Sequence, residues 1–127
     1  MNALKKILVS LSMAGIMAAS STAMAANPTV AEVKAAIDNT ILKIEESISA
    51  IEQGADTEAT VALINDARQA QKDISNQEVD LKRNKASSKL KNAIAEVRKS
   101  ELQPAEQLLR DALKDFQDIK QIYSKSH

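Results

Sequence analysis

The chain has no cysteine and no tryptophan, one tyrosine, one phenylalanine, two glycines, two prolines and one histidine in 127 residues. Each shortage removes a class of answer. Without cysteine there is no disulfide and no bacterial lipid anchor, so stability must come from packing. So little glycine leaves no phosphate-cradling loop. A cysteine nucleophile is impossible, and His127 stands at the last position. The remaining serines lie in expected helices or caps, without a positioned base and oxyanion hole. No enzyme is expected. A balance of 17 basic against 17 acidic residues carries no electrostatic footprint for nucleic acid.

What is present begins with an address. Lys5 and Lys6 give a positive start, Ile7 to Met17 an apolar stretch, and Ala23-Met24-Ala25 an A-x-A cleavage site. These are the three regions of a secretory signal peptide, here residues 1–25. The expected mature chain, residues 26–127, keeps none of the four methionines. Two lysines go with the signal, leaving 15 basic and 17 acidic residues, a formal charge of −2. Haem is therefore not expected: no methionine or internal histidine remains as an axial ligand, and no Cys-x-x-Cys-His run exists. No second apolar run is long enough to span a bilayer. The twin-arginine pair is missing too. The expectation is a protein exported by the general route to the periplasm, the medium being the alternative destination, with no stable membrane anchor.

Apolar residues of the mature chain recur at steps of three and four, the spacing of helices with one buried face. Four helices are expected, at 29–53, 56–74, 76–100 and 104–124. The first carries Val30, Val33, Ile37, Ile41, Ile44, Ile48 and Ile51. Thr29 and Glu32 make a capping box before it, and Gly54 ends it. Asp56 or Thr57 caps the second, whose stripe is weaker: Ala59, Leu63, Ala67, Ala70 and Ile74, with Val61 and Ile64 beside it. Ser75 and Glu78 form a second capping box, opening a third helix with Val79, Ala86, Leu90, Ile94 and Val97. Pro104 suits the first turn of the fourth, where its missing N–H costs nothing. Ala105, Leu109, Ala112, Phe116, Ile119 and Tyr123 form its stripe. No alternating run is long enough for a strand. The fold class is all-α, an up-down-up-down antiparallel four-helix bundle.

The two halves also repeat. A shift of 46 positions brings Thr29 onto Ser75, Glu32 onto Glu78, Val33 onto Val79, Ile44 onto Leu90 and Ile51 onto Val97. Beyond the hairpin turn a shift of 45 brings Ile64-Asn65-Asp66-Ala67 onto Leu109-Arg110-Asp111-Ala112. Two similar helical hairpins result. The repeat breaks where Arg83 replaces Ile37 and Ser87 replaces Ile41. This start of the third helix should lie beside the end of the fourth, where Phe116 and Tyr123 supply bulk. A small pocket at that break is the competing reading.

Carboxylates are the plentiful ligands. Asp111, Asp115 and Asp118 fall at i, i+4 and i+7 on one face of the fourth helix, where like charges repel. Lys114 has the spacing to offset Asp111 and Asp118, and a hard divalent cation held by oxygens is the alternative. Adjacent Glu45 and Glu46 point in different directions. Lys82, Arg83, Lys85, Lys89 and Lys91 crowd one short stretch, spread over several faces; anionic lipid heads or an acidic partner would suit them.

The mature chain resembles the small metal-binding protein family of exported bacterial four-helix proteins. The turn Glu52-Gln53-Gly54-Ala55-Asp56-Thr57, the run Ala67-Arg68-Gln69-Ala70-Gln71-Lys72 and the tail Ser124-Lys125-Ser126-His127 carry the resemblance. It implies the bundle, the exported location and binding of divalent transition metals such as copper by surface histidines. Of those histidines this chain matches the terminal one, His127; Lys, Gln, Asn, Asp or Glu stand at the others. Two functions are thus expected in turn. One is a non-enzymatic bundle with weak divalent cation binding through Asp111, Asp115, Asp118 and His127. The other is a periplasmic protein-interaction or stress-related bundle without a metal.

Overall fold

The computed structural model describes residues 28–127. The expected signal peptide lies outside them. Four helices follow one another, which we label α1 (Val30–Glu52), α2 (Thr57–Gln71), α3 (Asp80–Arg98) and α4 (Leu102–Ser126). No strand occurs among the described residues. Each helix packs on its sequence neighbour, and α1 also packs on α4, so the four close into an antiparallel bundle in cyclic order. No described helix is long and apolar enough to cross a membrane.

Local chemistry sets most of the ends. Thr29 Oγ1 accepts from the Glu32 N–H at 3.1 Å, and the Glu32 carboxylate accepts from the Thr29 N–H at 2.9 Å, completing the first capping box. Asp56 caps α2 by accepting from the Ala59 N–H at 2.7 Å. Pro104 occupies the third position of α4, one of the places whose N–H would have no helical partner.

The second capping box does not form. α3 starts at Asp80, after a Val79 cap with no side-chain hydrogen bond. Asn76 Oδ1 instead accepts from the Glu78 N–H at 2.8 Å, a local turn that competes with the helix. The Glu78 carboxylate accepts from Ser126 Oγ at 2.8 Å, across to the end of α4. α2 correspondingly stops at Gln71, short of the expected 74. Ile74 and Val79 stay fully buried although both lie in the connection, so they pin it to the core.

The two hairpin turns repeat in atomic detail. After α1, the Gly54 N–H bonds to Ile51 O and the Ala55 N–H to Ala50 O. After α3, the Ser100 N–H bonds to Val97 O and the Glu101 N–H to Glu96 O. Both are the paired bonds of a Schellman ending, which needs a left-handed residue. Gly54 provides it at φ 73°, and Ser100 provides it at φ 63°. The two positions are related by the same 46-residue shift.

The core runs through the middle as one cluster. All six stripe residues of α4 are buried, as are Val79, Ala86, Leu90, Ile94 and Val97 on and before α3. On α1 the stripe holds from Val33 to Ile48, while Ile41 and Ile51 are half-buried and Val30 is exposed. The α2 stripe requires correction. Its buried face is Thr60, Val61, Leu63, Ile64, Ala67 and Gln71, leaving Ala59 exposed and Ala70 half-buried. Thr60 can face inward because its hydroxyl donates to Asp56 O at 3.0 Å. At the turn end of the bundle, Arg110 of α4 bridges Glu106 at 2.6 Å and Glu52 of α1 at 2.7 Å. The Arg110 hydrogen bond holds the Glu106 carboxyl below its ordinary range. Stability from that group is present above the ordinary glutamate range and is lost as pH falls through the lowered value.

Two measurements check this account. Ser100→Gly should raise unfolding stability by about 0.5–1 kcal/mol, and Gly54→Ala should lower it by about 1–2 kcal/mol, in urea melts. The space around Gly54 is open, so that loss is backbone strain alone. Ile44→Ala, at a fully buried position, should cost about 2–5 kcal/mol.

Candidate functional site

α4 presents its aspartates toward α3. The Asp115 carboxylate takes Lys89 of α3 at 2.6 Å, and Asp118 lies 3.9 Å from Lys82 of the same helix. Asp111 accepts from Gln107 Nε2 at 3.1 Å and is exposed. The charge that relieves the aspartate ladder therefore comes from across the helix pair for Asp115 and Asp118. Lys114, the expected neutraliser by spacing, makes no ion pair with them. Partly exposed pairs of this kind contribute about 0–1 kcal/mol each, and here they also fix which lysines of α3 are engaged.

His127 sits apart. Its ring stacks on Tyr123 with centroids 4.1 Å apart and planes 17° from parallel. Its Nδ1 lies 3.2 Å from Tyr123 O, one turn back along α4. Among the described residues no three of His, Cys, Asp and Glu gather into a group able to hold a metal ion. Glu46 faces Lys43 at 3.4 Å, while Glu45 is exposed.

The break in the repeat is a polar junction between α2 and α3. Arg83 Nη1 donates to Gln71 Oε1 at 2.9 Å, and Gln71 Nε2 donates to Arg68 O at 3.0 Å. Asp80 Oδ1 stands 3.6 Å from Arg83 Nε, in ion-pair range but too far for a hydrogen bond. Arg68 Nη1 donates to Asn65 Oδ1 at 3.3 Å. Sequence reading found the α3 half of this junction in Arg83 and Ser87 and missed its α2 half. The signal was available: under the 45-residue shift Gln71 stands where Phe116 does, and Arg68 where Leu113 does. A small cleft does open at this end of the bundle, but between α1 and α4, lined by Lys34, Ile37, Asp38, Lys120, Tyr123 and Ser124. Neither Arg83 nor Ser87 lines it.

Of the five clustered basic residues, Lys82 and Lys89 are thus occupied by α4, and Arg83 is turned to α2. Lys85 and Lys91 remain exposed.

Calorimetric titration with copper, nickel, zinc and calcium should show no affinity tighter than about 10⁻³ M, the weak end of carboxylate sites. Asp115→Asn should cost less than about 1 kcal/mol and leave those titrations unchanged. No family model matches the chain, and no curated protein and no solved structure is significantly similar to it.

Proposed function

We propose that this is a non-enzymatic exported bundle that works by contact with another protein of the periplasm. One observation carries the reading. The groups that a cation-binding role would use are engaged within the protein: Asp115 is bonded to Lys89 and Asp111 to Gln107, Asp118 lies in ion-pair range of Lys82, and His127 stacks on Tyr123. Taking up a cation at Asp115 or Asp118 means giving up a lysine, with little enclosure gained in return. The interior offers nothing else, since aliphatic side chains and Phe116 fill it. What remains for function is the outer surface of the helices. The signal-like residues 1–25 support the compartment. The sequence expectation of no activated nucleophile favours a binding role over a catalytic one.

Photo-cross-linking side chains placed one at a time at exposed Leu42, Leu81 and Leu102, on three different helices, test this in intact cells. A discrete adduct from one helix face is the expected result. No adduct from any position, combined with micromolar copper or nickel binding to the purified protein, would reverse the reading in favour of metal capture.

A further inference from the structure

The repeat gives each seam of the bundle an internal control. The two-fold relation that carries α1 onto α3 and α2 onto α4 also carries the α1–α4 seam onto the α2–α3 seam. The edges can be assigned from contacts. Lys82 and Lys89 mark the side of α3 that faces α4. Arg83 marks the side that faces α2, and steps of one or two turns from it lead to Ser87, Lys91 and Arg98. On α4, Arg110 and Lys120 face α1 through Glu52 and Asp38. The α2 counterpart of Arg110 is Asn65, which shares its edge with Arg68 and Lys72.

Five equivalent positions gain positive charge on passing to the second seam, while three lose it: Lys34 becomes Asp80, Arg110 becomes Asn65 and Lys120 becomes Ser75. At the five, the α1–α4 seam has Ile37, Glu45, Glu52, Leu113 and Gln117. The α2–α3 seam has Arg83, Lys91, Arg98, Arg68 and Lys72. Two acids and three neutral residues on one seam are matched by five cations on the other. Asp80 is the acid beside Arg83 on this edge, and it leaves Arg68, Lys72, Lys91 and Arg98 without an acidic partner. A second observation is independent of charge. The Nε–H of Arg68 is shut off from solvent without a hydrogen-bond acceptor, while the Arg83 Nε–H and the Asp80 Oδ1 that faces it at 3.6 Å are unmet together. An unmet buried donor is costly, and an acceptor that reaches the Arg68 guanidinium relieves it.

We propose that the α2–α3 seam is a docking surface for an acidic polypeptide segment. This rests on the binding-protein reading above and names its surface and the chemistry of its partner. Guanidinium groups match carboxylates in a two-point geometry that ammonium groups lack. Arg83 to Arg98 spans fifteen residues of helix, about 22 Å, the length of about seven residues of extended chain. The Arg83 side chain is 20% exposed. A narrow chain can reach a group so recessed, whereas a flat bilayer surface touches the outer ridges first.

The purified protein, labelled for amide NMR, is titrated with a glutamate-rich decapeptide, with inorganic phosphate, and with vesicles of anionic phospholipid. The peptide should move the amides of Asn65, Arg68, Lys72, Ser87 and Lys91. Its affinity should fall several-fold between low salt and about 0.15 M salt. The Lys91→Glu, Arg98→Glu double variant gives this seam the acids of the other one. Both residues are exposed, so folding is spared, and peptide affinity should drop at least about tenfold. Lys114→Glu, on the outer face of α4, should change it less than about twofold. Equal losses in the two variants, shifts confined to another face, vesicle binding without peptide binding, or a phosphate response as strong as the peptide's would each overturn the proposal. A cross-linked partner on another face would also overturn it while leaving the binding-protein reading intact; no partner on any face would remove both.

Discussion

Burial of aliphatic side chains in a single central column is the interaction on which this structure depends. No disulfide is possible, and the packed aromatics are Phe116 and Tyr123. Alanines at 67, 86, 93, 105 and 112 let helix backbones approach, and isoleucines and leucines at 37, 44, 64, 90, 109 and 119 fill the space between them. At about 25 cal/mol for each Å² of apolar surface removed from water, such a column is the dominant stabilising term. The polar features sit where the column permits them. Buried Thr40 and Ser47 close on carbonyls of their own helix at 2.7 and 2.8 Å, so they need nothing from a neighbour.

Against that background the polar junction at Gln71 and Arg83 is an exception with a cost. It takes the place of an apolar pair related by the repeat, and it leaves three buried polar atoms without hydrogen bonds. Each such atom costs about 1–3 kcal/mol when truly isolated from water. Packing alone does not favour this arrangement, since the same fold builds the equivalent seam from Ile37 and Phe116 one half-turn away. The lysines on the other side of α3 behave differently: Lys82 and Lys89 meet acids of α4 and are quenched. One helix therefore presents neutralised cations on one edge and unneutralised cations on the other.

How much of this was legible in the sequence differs from helix to helix, for physical reasons. The α4 stripe could be read in full because Leu109, Phe116, Ile119 and Tyr123 fix its face and place Ala105 and Ala112 on it. The α2 stripe could not. Alanine fits either environment, and two of its buried positions are the polar residues Thr60 and Gln71, which an apolar periodicity passes over. The Ser75–Glu78 capping box had the right letters. A side-chain acceptor one residue away, Asn76, and a donor from the far end of the chain, Ser126, took its groups instead. The aspartate ladder was visible, but its neutralisation was assigned to Lys114 by proximity in sequence, when the lysines that meet it come from the opposite helix. The candidate surface was half visible: Arg83 and Ser87 stand out against the isoleucines they replace, whereas the departures at Arg68 and Gln71 lie just beyond the matched run Ile64 to Ala67.

The paired turns after α1 and α3 bear on how fast the chain finds its structure. Each is closed by bonds between residues five or fewer apart, so each hairpin can form without waiting for the other. Joining them requires one long-range meeting, that of α1 with α4. Loop closure at such short range costs little entropy, and bundles dominated by local contacts fold in microseconds to milliseconds. For the export proposed above, that economy shortens the interval in which the apolar column is exposed. The left-handed serine at position 100 costs the second hairpin about 1–2 kcal/mol that Gly54 spares the first, so the half beginning at Thr29 has the cheaper turn to close.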